Sequence, residues 1–168
     1  MIFARPVALT TLDELGLKNV ERHSVSGFPA GIIFPHGITQ GSVALITGEP
    51  GAGKSTLSLQ LAQNISTHSA VLYITGEESV AQVKERSARL GVFGKNFLLA
   101  ESTNLEETQA TIISRKPAFA IIDSLQAIVS SVVTGEAGSL NQVRAVAASL
   151  MQLARREKIT LFVIGHVT

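Results

Sequence analysis

The sequence predicts an α/β domain of three layers, with a mostly parallel sheet in the middle. Two patterns carry that prediction. Beyond residue 40, short runs rich in apolar and β-branched residues alternate with segments of helical spacing, the rhythm of strand–helix–strand units. The runs are also apolar throughout rather than alternately polar, the mark of strands covered by helices on both faces.

Five runs qualify as strands: VALIT (43–47), AVLYIT (70–75), NFLLA (96–100), FAIID (119–123) and TLFVIG (160–165). Between the first two, Leu57, Leu61 and Ile65 recur at i, i+4 and i+8, one face of a helix. Val80, Val83 and Leu90 make a second stripe, with Gln82, Glu85, Arg86 and Arg89 on the opposite face. Asn104, followed three positions later by Glu107, has the form of a capping box opening a third helix that fades before Pro117. Leu140, Val143, Ala147, Leu150 and Ala154 share one face of a fourth. Residues 1–37 are weakly periodic and hold Pro6, Pro29 and Pro35. They read as an N-terminal arm, with one short helix near Leu12–Leu17, leading into a core over residues 38–168.

A chain of 168 residues, 45% apolar and 16% charged, suits one domain with a sizeable core. No apolar run approaches the roughly 18 residues of a membrane span, and "MIFARPVALT" does not resemble a secretory signal. No membrane partner is expected. The absence of cysteine excludes disulfides and cysteine-based zinc sites and suits a cytoplasmic address. A net charge of +1 argues neither for nor against nucleic acid.

The chemistry concentrates in "GEPGAGKST". Gly48 to Ser55 fit G-x-x-x-x-G-K-[ST], directly after one predicted strand and directly before a helix, the context that a phosphate-binding P-loop requires. Such a loop turns sharply so that successive N–H groups converge on phosphate oxygens, which Gly48, Gly51 and Gly53 permit. The helix behind it aims free donors and the positive end of its dipole at the same anion. Gly48, Glu49, Pro50, Gly51, Ala52, Gly53, Lys54, Ser55 and Thr56 are therefore the expected nucleotide-binding stretch. Lys54 would lie against the β- and γ-phosphates, and the Ser55 hydroxyl would ligate Mg²⁺.

Strand ends supply the remaining groups. FAIID finishes on Asp123, as a carboxylate holding the Mg²⁺ shell beside a P-loop would. In a parallel sheet the carboxyl ends share one edge, where ligands bind. The carboxylates of "YITGEES" must then face the nucleotide as well, where a glutamate can orient and polarise the attacking water. Glu77 is expected in that role, and Glu78 at the start of the next helix. His166, just past the last strand, stands on the same edge, able to donate a hydrogen bond to the γ-phosphate, with Thr168 assisting.

P-loop, glutamate after the next strand, carboxylate-tipped strand and polar last strand follow one another as in RecA-like ATPases. "GEPGAGKSTLSLQLA", "VLYITGEESVAQVKERSARLG", "NFLLAESTNLEE", "IIDSLQAIVS" and "GSLNQVRAVAASLMQLARREKITLFVIGHVT" each resemble blocks of the bacterial RadA/Sms family, in the same order, over about residues 38–168. The resemblance implies an ATP- and Mg²⁺-dependent hexameric ring motor on single-stranded DNA, promoting branch migration in recombination. By position, Glu77 would be its catalytic glutamate, and residues 129–142 a mobile central loop facing DNA, with Arg144 the nearest cation. The family's four-cysteine zinc module, "KNRFG" motif and Lon-protease-like domain are not found in this sequence. ATP binding with weak hydrolysis is therefore expected. Two other readings remain: a KaiC-like signalling ATPase, and a non-catalytic nucleotide-binding or oligomerisation module.

Overall fold

The computed structural model describes residues 7–14 and 20–166. Two short strands, β1 (Arg22–His23) and β2 (Ile38–Thr39), flank the one-turn helix α1 (Ala30–Ile33). The main body runs β3 (Val43–Gly48), α2 (Lys54–Ser66), β4 (Val71–Thr75), α3 (Val80–Arg89), β5 (Phe97–Glu101), α4 (Leu105–Arg115), β6 (Phe119–Asp123), a 3₁₀ turn (Leu125–Ala127), α5 (Leu140–Glu157) and β7 (Thr160–His166). β3 to β7 form one sheet in the order β3-β7-β6-β4-β5, and every neighbouring pair is parallel.

Successive side chains of a strand point to opposite faces, and β4 shows how three layers follow. Leu72 and Ile74 pack into one core with Leu105 and Ile112 of α4 and Val146, Leu150 and Leu153 of α5. Val71 and Tyr73 pack into another with Leu59, Ala62 and Ile65 of α2 and Val83 of α3. The three central strands are almost wholly buried, as continuous apolar runs require.

The two outer strands depart from that expectation. β3 alternates between exposed and half-buried positions, and β5 is only partly covered. Their sequences are as apolar as the central ones, but each pairs on one side only within this sheet. Leu45 is consequently 60% exposed.

Helix ends follow their capping residues. Ser79 and Gln82 form a reciprocal capping box at the start of α3. At α4 only half of the expected box is made. Asn104 accepts from the Glu107 amide at 2.8 Å, while the Glu107 carboxylate takes the Ser102 hydroxyl instead. α5 buries Gln142, Val146, Leu150, Leu153 and Ala154. The face is rotated from the one expected, leaving Leu140 62% exposed.

The arm joins the core where Arg22 pairs opposite Thr39 and His23 opposite Ile38. Residues 12–14 form a turn, and the rest of the helix expected at Leu12–Leu17 lies outside the described residues. The stretch 129–142, expected to be mobile, is tied at its base. Buried Gln142 accepts from the Ser130 amide at 2.9 Å and donates to the Val133 carbonyl at 2.6 Å. Glu106 accepts from the Ser130 hydroxyl at 2.7 Å. Among the described residues no helix is long and apolar enough to cross a membrane.

Candidate functional site

Register places the chemistry. Gly48 at the end of β3 stands beside His166 of β7, and Thr75 at the end of β4 stands beside Asp123 of β6. The P-loop, His166, Asp123 and the Gly76–Ser79 exit therefore share the carboxyl edge of four strands. At that edge opens a cavity of about 340 Å³ lined by Pro50, Gly51, Gly53, Lys54, Ser55, Thr56, Glu77, Arg86 and His166, with nearly buried Asp123 behind its lining.

The loop is shaped for an anion. Gly51 and Gly53 hold φ of +80° and +83°, a region that disfavours side chains, and nothing lies within 4 Å of where a Cβ would stand on either. Their glycine is demanded by the turn and not by packing. No side chain caps the start of α2 and no acid occupies its first turn, so its first N–H groups are free for a ligand. The Lys54 ammonium, nearly buried, donates to the loop's own carbonyls of Gly48 and Glu49, each at 2.8 Å. These features fit a nucleotide's phosphates. A hydroxyl at Ser55 and a carboxylate at Asp123 suit Mg²⁺, which leans on one or two protein oxygens, phosphate and water more than on a protein cage. No cluster of three or more His, Cys, Asp or Glu side chains that could hold a metal ion occurs among the described residues.

Glu77 meets two partners at one oxygen. The Ser124 hydroxyl donates to Oε1, and His166 Nε2 lies 3.0 Å from the same atom. Burial pushes this carboxyl up, but the Ser124 and His166 hydrogen bonds, with the charges of His166 and Lys54, hold it below the usual range. Glu77 is thus ionised at neutral pH. A carboxylate only accepts, so Nε2 carries the imidazole proton. The His166 backbone is fixed in turn by Gln126, whose amide accepts from its N–H at 3.3 Å and donates to its carbonyl at 3.2 Å. Thr168 lies outside the described residues.

The adjacent glutamate faces elsewhere. Glu78 pairs with Arg86 at 2.9 Å, and the acid at the α3 N-terminus is Glu101, which accepts from the Val80 amide at 3.2 Å. Asp123, nearly buried, accepts from the Tyr73 hydroxyl at 2.5 Å, with Arg86 4.0 Å away. Sequence reading did not single out Ser124, Tyr73 or Arg86 for the site. Position beside Asp123 was the one available signal for Ser124; contact between Tyr73 and Asp123 needs the cross-strand register.

The family profile of the AAA domain matches residues 32–168. The chain belongs to the AAA domain family. Its relatives include proteins named DNA repair protein RadA. One from Streptococcus pyogenes is 43% identical over 98% of this chain and 36% of its own length. Those from Listeria monocytogenes and Bacillus subtilis are 48% and 43% identical over 79% of this chain and 29% of theirs. The chain thus spans about a third of the length of these relatives. The resemblance read from its motifs and the RecA-like three-layer fold both hold.

Within the AAA domain the glycine between strand and carboxylates has a steric reason. A Cβ on Gly76 would stand 2.8 Å from the Ala127 Cβ and 3.4 Å from the Ser102 carbonyl oxygen. Gly76→Ala is expected to destabilise the fold by about 1–3 kcal/mol, an overpacking cost, and to carry Glu77 away from Ser124. A thermal melt and a turnover assay check both effects; a variant matching the parent in each would remove this account of Gly76.

Proposed function

We propose that this chain binds ATP with Mg²⁺ and hydrolyses it as the nucleotide-driven core of a DNA repair protein acting on single-stranded DNA and branched recombination intermediates. The observation that carries the reading is the convergence of an ionised Glu77 with Lys54 and His166 on one cavity. The names of the relatives point to DNA repair.

The residues divide the work. Gly48–Thr56 cradle the phosphates, and Lys54 turns its ammonium from the loop carbonyls to the β- and γ-oxygens. Ser55 and Asp123 would hold Mg²⁺, which would supply charge neutralisation at the phosphates. Glu77 orients the attacking water and takes its proton on the carboxylate. His166, bonded to Glu77, turns its Nε2–H to the γ-phosphate as that group arrives. Residues 38–168 form the catalytic core and 1–37 the arm. Residues 129–142 face DNA with Arg144 beside them, in a cytoplasmic ring of six copies.

Turnover by the chain alone is expected to be slow. ATP turnover measured over a series of protein concentrations, with and without single-stranded DNA, tests the proposal. The expected rate rises more than linearly with protein and further with DNA. A rate proportional to protein and indifferent to DNA sinks the DNA-motor reading. Zero turnover with intact ATP binding leaves a nucleotide-binding module.

A further inference from the structure

Beneath the phosphate cavity lies a buried polar pair, Tyr73 and Asp123. Tyr73 is fully buried in the core under α2 and α3, and a buried phenol needs a partner. It sits diagonally across from Asp123, since Tyr73 is in register with Ile121 and Thr75 with Asp123, a spacing that long side chains bridge. Its hydroxyl donates to Asp123 Oδ2 at 2.5 Å. Among the described residues no hydrogen bond reaches Oδ1, and the Asp123 side chain as a whole is 9% exposed.

We propose that Tyr73 is a positioning residue for the metal site, holding Asp123 by Oδ2 so that Oδ1 is presented to the metal's water shell. The inference rests on the reading of Ser55 and Asp123 as the Mg²⁺ residues. A free carboxylate can turn about its last bond and offer either oxygen. With Oδ2 pinned, one geometry remains, and it is set before nucleotide arrives.

Tyr73 is the one tyrosine in a chain without tryptophan, so the protein's tyrosine emission reports this hydrogen bond directly. A phenol donating to a carboxylate is quenched, and drawing the carboxylate's charge toward a cation relieves that. Mg²⁺ is titrated into protein saturated with a non-hydrolysable ATP analogue, following emission. The affinity for a labelled analogue is measured in parallel with and without Mg²⁺. Emission of the parent protein is expected to rise with Mg²⁺. Tyr73→Phe keeps the ring and should leave metal-free nucleotide affinity unchanged. It should raise the Mg²⁺ concentration for half-maximal tightening about tenfold, the loss of one hydrogen bond to a charged group.

Asp123→Asn separates the two readings. If it leaves the Mg²⁺ dependence untouched, Asp123 is not the metal carboxylate and the site assignment fails along with the role of Tyr73. If it changes that dependence while Tyr73→Phe does not, the assignment stands and the positioning role is overturned. Should Tyr73→Phe not fold, the parent's emission decides: no response to Mg²⁺ at saturating nucleotide overturns the proposal.

Discussion

Lys54→Ala is expected to weaken ATP binding about a hundredfold while leaving the sheet intact. In the folded chain the ammonium spends its donors on the carbonyls of Gly48 and Glu49. Those bonds hold the loop in its cradle shape and keep a cation at the place where phosphate charge must sit. Hydrogen bonds between charged partners weigh roughly 1.5–3 kcal/mol each, so losing one or two of them to phosphate accounts for the factor. Removing the side chain also leaves two carbonyls without a donor, and the cradle itself should loosen. A titration of ATP followed by calorimetry checks the affinity, and a melt without nucleotide separates it from stability. Affinity equal to the parent's would remove the P-loop assignment.

Glu77→Gln should do the reverse, keeping ATP and losing chemistry. Glutamine has the same shape, and its carbonyl oxygen can still accept from Ser124 and His166 at the place of Oε1. What disappears is the negative charge and the ability to take a proton, worth about 10²–10⁴ in rate for a general base. Glu78→Gln is the matched comparison. It breaks a partly exposed pair with Arg86, of a kind that contributes little, and turnover should move by only about a few-fold. If Glu78→Gln is the variant that binds and does not turn over, the roles of the two glutamates are exchanged.

Much of the architecture was legible because it rests on local signals. Continuous apolar runs marked every strand of the main sheet, and the glycines around Lys54 announced a loop whose shape depends on positive φ at Gly51 and Gly53. What stayed hidden depends on neighbours far apart in sequence. The exposure of Leu45 follows from strand order, which no single run encodes. Tyr73 reads as one more core residue until register sets it beside Asp123. Ser124 and Glu77 meet only because β4 and β6 are adjacent. The stretch 129–142 is rich in small residues and looked free, yet one buried glutamine twelve positions from Ser130 ties it down.

The strand that bears the phosphate loop is one of the two at the margins of the sheet, held by β7 alone within it. Proteins open first where few contacts resist, in cooperative patches weaker than the whole. β3 is such a patch, so the cradle should breathe more readily than the central strands behind it. Nucleotide bridging Lys54, Ser55 and the β6 carboxylate would then act as a clasp across that margin, giving the outermost strand a local protection that its own pairing does not supply.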